Sequence, residues 1–202
     1  MQGFTLIELL VVITIMALMA ALTMGAFTFA QKSAARGRTS ATHVAIISGL
    51  ERYRNDFGEY PAPANEGDTM EVNTRQYVIS GAAMLYQALS GDGFDQIYFA
   101  SGTQPSGAAN PMSDGNISDG EAANIKMTEM PDTVRRVLNG IYFMTDGFGN
   151  PFQYTKGTDS EAVNKSSFDL WSFAEDETNT LNTGRETKLN RPEITELWIK
   201  NW

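Results

Sequence analysis

The chain has 202 residues, a net charge of −9, no cysteine and one histidine. Without thiols it forms no disulfide, and a single histidine excludes zinc sites built on several His or Cys ligands and leaves a catalytic triad one candidate base. Residues 1–58 hold five basic and three acidic side chains, whereas residues 59–202 hold ten basic and twenty-one acidic, so the larger part repels nucleic-acid phosphates and no nucleic-acid partner is expected.

Gly3-Phe4-Thr5-Leu6-Ile7-Glu8 opens a stretch that stays apolar to Ala30, with no charged residue from Leu9 to Ala30. About 20 such residues at roughly 1.5 Å each cover the roughly 30 Å hydrocarbon core of a bilayer. An ionised carboxylate there costs on the order of 2.5–3.5 kcal/mol by insertion scales, which marks Glu8 as functional. An ordinary signal peptide would need a basic leading region, a shorter apolar core and a small-residue cleavage site. Here only Met1-Gln2-Gly3 precedes a run that is too long.

Gly-Phe-Thr-Leu-Ile-Glu followed by that run is similar to the class III signal of type IV pilins and type II secretion pseudopilins. The resemblance implies that prepilin peptidase cuts between Gly3 and Phe4 and that the new Phe4 amine is methylated. It further implies a single-pass inner-membrane protein with its C-terminal head in the periplasm. The implied partners are copies of itself in a homopolymeric filament, an inner-membrane assembly platform and minor pseudopilins. Glu8 of one subunit would neutralise the Phe4 ammonium of a neighbour, two charges that are costly alone becoming tolerable together.

Two departures from the family pattern stand out. Relatives carry several Lys or Arg before the cleavage glycine, whereas Lys32, Arg36 and Arg38 lie beyond the span, and the charge rule alone would orient the helix the other way. The signal motif takes precedence, and the leader is expected to be truncated or mis-started. Gly25 stands where relatives have proline. Glycine costs roughly 1 kcal/mol of helix propensity relative to alanine, so local melting and close helix packing both remain open.

The spacing predicts a leader at 1–3, a transmembrane, filament-core helix over 4–30, and an amphipathic stalk over 31–58. In the stalk, Val44, Ile47, Leu50, Tyr53 and Phe57 recur at three- and four-residue intervals and are expected to carry the head. His43 lies on the same helix and reads as a solvated or interfacial residue. Gly58 stops the helix before the extended Tyr60-Pro61-Ala62-Pro63. Leu50 to Pro61 resembles the same region of secretion-type pseudopilins.

Residues 59–202 form the head. Within it, 64–135 reads as a variable loop region containing a short helix over Ala82–Ser90, closed by Gly91-Asp92-Gly93. Asp92 and Asp95 lack EF-hand spacing and read as a solvated turn. Ser101 to Ile125 reads as an exposed, mobile excursion. A β-sheet is expected over 140–173: a strand at Ile141–Met144, a turn at Asp146–Pro151, a return at Phe152–Thr155 and a third strand over Ser167–Phe173. One face of this sheet should lie on the stalk helix.

The segments Asp146-Gly-Phe-Gly-Asn-Pro-Phe-Gln-Tyr, Phe168-Asp-Leu-Trp-Ser-Phe and the terminal Asn201-Trp202 resemble the major pseudopilin in order and spacing. In that family the loop after the third strand binds calcium, which implies Asp176 and Glu196 as candidate ligands. No other cofactor is required. The alternative for this loop is a hydrogen-bonded turn with Glu175, Asp176 and Glu177 solvated.

The expected fold is therefore α+β, a long N-terminal helix packed on a small antiparallel sheet, as in type IV pilin-like proteins. The expected function is that of a non-enzymatic filament subunit driving type II secretion. Its rivals are a pilus subunit for adhesion, twitching or DNA uptake, and a membrane-tethered enzyme using Asp169 with Glu175 or Asp176.

Overall fold

A computed structural model describes residues 5–99, 112–117, 126–129, 131–176 and 178–202. Helix α1, Leu6–Phe57, runs unbroken for 52 residues, about 78 Å at 1.5 Å per residue. Its start is a reciprocal cap: the Glu8 N–H donates to Thr5 Oγ1 at 3.3 Å, and the Thr5 N–H donates to Glu8 Oε2 at 2.8 Å, which satisfies two of the amides that a helix start leaves unpaired. Gly58 ends it at φ 84°, its N–H donating to the Arg54 carbonyl at 2.8 Å, a conformation glycine adopts without Cβ strain.

The head follows with strands β1 (Ala62–Pro63), β2 (Thr69–Val72) and β3 (Arg75–Val78), helix α2 (Ser80–Ser90) and β4 (Ile97–Tyr98). A 3₁₀ turn at Asp132–Val134 leads into β5 (Arg135–Leu138) and β6 (Ile141–Met144), then β7 (Gln153–Lys156) and β8 (Phe168–Ser172). Short helices α3 (Arg185–Asn190) and α4 (Pro192–Thr195) precede β9 (Ile199–Lys200). All pairings are antiparallel: β1 with β4, β2 with β3, β5 with β6, and a three-stranded sheet in which β8 lies between β7 and β9. The architecture is thus α+β, a long N-terminal helix followed by small antiparallel sheets, as in a type IV pilin-like fold.

Several expectations are corrected here. The 64–135 region is not one loop, because it contains the β2–β3 hairpin, β4 and the start of β5. Asn73 and Thr74 turn that first hairpin at φ 51° and 67°. Ile141–Met144 is a strand, but its partner is Arg135–Leu138 rather than the return over Phe152–Thr155. The reason is Asn139-Gly140, which adopts φ 52° and 80°, the positive pair a two-residue type I′ turn demands. Across Asp146–Pro151 only a single bridge forms, Thr145 to Pro151, and β7 pairs instead with β8. Most of the Ser101–Ile125 excursion lies outside the described residues.

All eleven residues of α2 are buried, because this helix lies between α1 and strands β1, β4, β6 and β7. The stalk therefore meets α2 over much of its packed face, and of the larger sheet it reaches β8 and β9. Gly49 permits the approach, since a Cβ there would sit 2.6 Å from Leu89 Cδ2. One core cluster gathers Ile46, Leu50, Tyr53, Leu85, Phe152 and Phe168. A second gathers Tyr77, Phe143, Trp171, Phe173 and Trp198.

The stalk's packed stripe differs from the expected one. Ala35, Thr39, His43, Ile46, Leu50 and Tyr53 are buried. Ile47 and Phe57 are half-buried against the core, but Val44 is 63% exposed and takes no part. His43 is not solvated: it is 6% exposed, with Nε2 3.0 Å from the Leu170 carbonyl, so that nitrogen carries the proton. Burial pulls its pKa below the usual histidine value, with the carbonyl contact opposing. Asp92 is likewise not in a solvated turn. It is 1% exposed and accepts from Tyr86 Oη at 2.5 Å and from the Asp114 and Gly115 amides at 3.1 and 3.0 Å, which pins residues 114–115 to α2.

The loop between β6 and β7 clamps the stalk. Gly147 donates its N–H to Thr39 Oγ1 at 2.9 Å, and Thr39 donates onward to the Ala35 carbonyl at 2.9 Å. A Cβ at Gly147 would lie 2.2 Å from the Ala35 oxygen. Farther along the head, Arg36 pairs with Glu175 at 2.6 Å.

Candidate functional site

The lower part of α1 stands clear of the head. Every residue from Thr5 to Ala34 is exposed, including Leu6 at 85%, Leu22 at 68% and Phe29 at 76%. Among the described residues α1 is the one helix long and apolar enough to cross a membrane. Its hydroxyls do not spoil that character. Thr14 donates to the Leu10 carbonyl at 2.7 Å, Thr23 to the Met19 and Ala20 carbonyls at 3.1 and 3.0 Å, and Thr28 to the Gly25 carbonyl at 2.9 Å. Each donor is thereby satisfied within the helix, the condition hydrocarbon imposes on polar groups. The helix continues through Gly25, where a Cβ would meet nothing within 4 Å.

Glu8 is the one charged side chain from Thr5 to Gln31. Its Oε2 accepts from both the N–H and the hydroxyl of Thr5, each at 2.8 Å. Oε1 has no partner among the described residues, so the cap leaves one carboxylate oxygen open to an outside cation. Gly3 and Phe4 lie outside the described residues. Thr5 was not singled out in the sequence, although a threonine three residues before a glutamate at the head of an apolar run is a capping-box signature.

In the loop after β8, Asp176 meets donors rather than other carboxylates. Its oxygens accept from Trp198 Nε1 at 3.0 Å, the Thr178 amide at 3.0 Å, the Thr178 hydroxyl at 2.9 Å and Asn179 Nδ2 at 3.4 Å. Burial acts against ionisation, but these donors outweigh it and hold the carboxyl below its usual value. Glu196 is exposed, Glu177 lies outside the described residues, and among the described residues no three His, Asp or Glu side chains converge on a point. The described residues do not fit a calcium ligand set, which takes six to eight oxygens.

Hydrogen bonds account for the order of this loop. We expect Asp176→Ala to lower stability by about 1–3 kcal/mol through the orphaned indole N–H of Trp198, while a calcium chelator leaves the melting curve of the detergent-solubilised chain unchanged. A chelator-sensitive transition would return the metal to this loop.

Other groups tie the C-terminal segment down. Lys188 and Asp169 form a fully buried pair at 2.9 Å, and Asp169 also accepts from the Val163 and Asn164 amides at 2.8 and 2.9 Å. This closes off the carboxylate on which the enzyme alternative relied. Asn201 prolongs the β8–β9 pairing with its side chain, accepting from the Leu170 N–H at 2.9 Å and donating to the Phe168 carbonyl at 3.0 Å. Lys188 and Thr39 escaped the sequence reading, and the burial of His43 was missed, because each is a polar residue in a core position, legible only once its partner is known.

No curated protein and no solved structure matches the chain. Residues 1–24 match the prokaryotic N-terminal methylation motif, so the capped, exposed and apolar start of α1 carries the prepilin-type signal of type IV pilin-like proteins.

Proposed function

We propose that the chain is a filament subunit of the pseudopilin kind, stored in the inner membrane with its head in the periplasm and polymerised to drive type II secretion. The observation that carries this reading is a prepilin-type signal on a helix whose apolar lower part is exposed and bears a single capped carboxylate. A membrane anchor alone would have no use for that charge, which costs on the order of 2.5–3.5 kcal/mol in hydrocarbon.

Prepilin peptidase cuts between Gly3 and Phe4, and the methylated Phe4 ammonium of one subunit meets the open oxygen of Glu8 on its neighbour. Subunit addition exchanges lipid contacts for helix contacts along residues 4–30, and the growing filament pushes folded cargo outward. The assembly platform and minor pseudopilins are the partners this cycle requires, and the subunit itself performs no catalysis. The head rides on Ile46, Ile47, Leu50, Tyr53 and Phe57 of the stalk.

Secretion is favoured over a surface pilus by the order of the Asp146–Tyr154, Phe168–Phe173 and Asn201-Trp202 segments. Deleting the gene in its host tests the choice. A set of proteins should disappear from the culture supernatant while sheared surface filaments persist, whereas loss of surface filaments with secretion intact would make this a pilus subunit.

A further inference from the structure

The head stands low on its stalk. The charge-free run ends at Ala30, and Gly147 packs on Ala35, about 7.5 Å farther along α1 at 1.5 Å per residue. Headgroups add a polar layer of roughly 5–7.5 Å to each side of the hydrocarbon. With the apolar run in a bilayer, the loop between β6 and β7 therefore reaches headgroup level.

Three cations follow the run. Arg36 is paired with Glu175, whereas Lys32 and Arg38 are exposed and have no partner among the described residues. Helix side chains lean toward the N-terminus, which here is toward the membrane, so Arg38 can lower its guanidinium to the lipid phosphates while its stem stays on the stalk.

Arg38 also stands in the wall of a cavity of about 490 Å³ between α1, the 3₁₀ turn and the β6–β7 loop. Thr42, Thr133 and Thr145 line the same cavity, and none of their hydroxyls has a partner among the described residues. Thr145 is the telling one, because the residue is only 4% exposed. Trp171 Nε1 is the one sealed and unpaired side-chain polar atom among the described residues, so the Thr145 hydroxyl keeps accessible surface. A hydroxyl left unpaired in a nearly buried residue asks for a partner from outside.

The wall is rich in donors and poor in free acceptors. Asp146 is its one carboxylate, and both oxygens are committed: Oδ1 accepts from the Phe148 and Asn150 amides at 2.8 and 2.9 Å, and Oδ2 from the Ser172 hydroxyl at 2.5 Å. The neighbouring Glu129 and Asp132 are paired with Lys126 and Arg135. A guanidinium with open hydroxyls around it suits a phosphate, which offers only acceptors and a negative charge. The volume corresponds to about 16 waters at roughly 30 Å³ apiece, room for a phosphoglycerol headgroup.

We propose that this cavity binds the headgroup of an acidic phospholipid in the leaflet beneath the head, its phosphate paired with Arg38 and hydrogen-bonded to Thr42, Thr133 and Thr145. The bound lipid would hold the head down on the bilayer while the subunit is stored. The proposal rests on the membrane reading of α1 and is separate from the charge pairing at Glu8.

The test is native mass spectrometry of the full chain, released from detergent micelles that contain equimolar phosphatidylglycerol and phosphatidylcholine. One phosphatidylglycerol per chain should be retained in preference to phosphatidylcholine. Arg38→Gln, at an exposed position without a partner, should leave the melting temperature unchanged and cut that retention at least about tenfold, the scale of a lost charge-assisted contact. Thr145→Val should weaken retention in the same direction, and Lys32→Gln, outside the cavity, should change it less than about twofold. Equal retention in Arg38→Gln, or an equal loss in Lys32→Gln, would overturn the proposal by reducing the attraction to unspecific charge. Arg38-dependent binding of inorganic phosphate by a chain that retains no lipid would overturn it in favour of a soluble anion. Alkaline extraction of host membranes is run alongside: a chain that washes out contradicts the membrane reading itself, whereas one that stays in without Arg38-dependent retention contradicts this proposal alone.

Discussion

Glu8→Gln should leave a correctly capped, membrane-inserted monomer that assembles poorly, and this variant separates two roles that Glu8→Ala confounds. The structure shows Glu8 closing a capping box with Thr5, a function glutamine also performs at that position. Alanine removes the cap and the charge together, while Thr5→Ala removes the cap and keeps the charge. If the assembly force is the pairing of Glu8 with a neighbour's Phe4 ammonium, filament yield should fall at least about tenfold in Glu8→Gln, equivalent to about 1.4 kcal/mol per contact. Glu8→Ala should fall as far, and Thr5→Ala much less. Both Glu8 variants should remain in the membrane, because removing the charge relieves its insertion cost. Sheared filament mass against total membrane-bound subunit is the measurement. Normal assembly of Glu8→Gln would mean that the glutamate serves the helix start and not the charge pair.

The second large effect is expected at Gly147, where the head meets the stalk just beyond the apolar span. Its backbone touches the stalk so closely that an alanine methyl would lie 2.2 Å from the Ala35 carbonyl oxygen, and a backbone atom cannot step aside as a side chain can. Overpacking of this kind costs about 1–3 kcal/mol. Displacing the loop also breaks the Gly147 N–H bond to Thr39, a further loss of about 1 kcal/mol. For a chain of this length each kcal/mol moves the melting temperature by about 2–4 °C, so Gly147→Ala should lower it by roughly 4–16 °C. Gly37→Ala, on the stalk helix itself, is the control. Its Cβ would meet nothing within 4 Å, and alanine should raise stability by up to about 1 kcal/mol through helix propensity. Equal melting temperatures for the two variants would show that the loop does not clamp the stalk.

What the sequence made legible was local and periodic. Gly58 and Gly91 end their helices at positive φ, and the charge-free run above Glu8 announces a helix long enough for a bilayer. The short helix over Ala82–Ser90 was visible, but its burial on every side was not, because a helix of small and apolar residues looks the same at a surface as between two layers. Strand pairing failed because the expectation rested on the Asp146–Pro151 turn and left Asn139-Gly140 unread, although that dipeptide is the stronger hairpin signal.

The stalk's packed face was misread for a different reason. Hydropathy selects Val44 and passes over Thr39 and His43, yet these two are buried because Gly147 and the Leu170 carbonyl, 108 and 127 residues away, supply their partners. Lys188 entered the core in the same way, through Asp169. A partner distant in sequence is invisible to any reading of spacing, so the polar residues of the core emerged only in three dimensions.

The central claim is that the chain is matured as a prepilin. Its most direct test is the intact mass and N-terminal fragmentation of the chain purified from membranes that contain prepilin peptidase. The account predicts loss of Met1-Gln2-Gly3 and a new N-terminal Phe4 carrying one methyl group. An uncut chain in the presence of active peptidase, or a cut at any other bond, would contradict it.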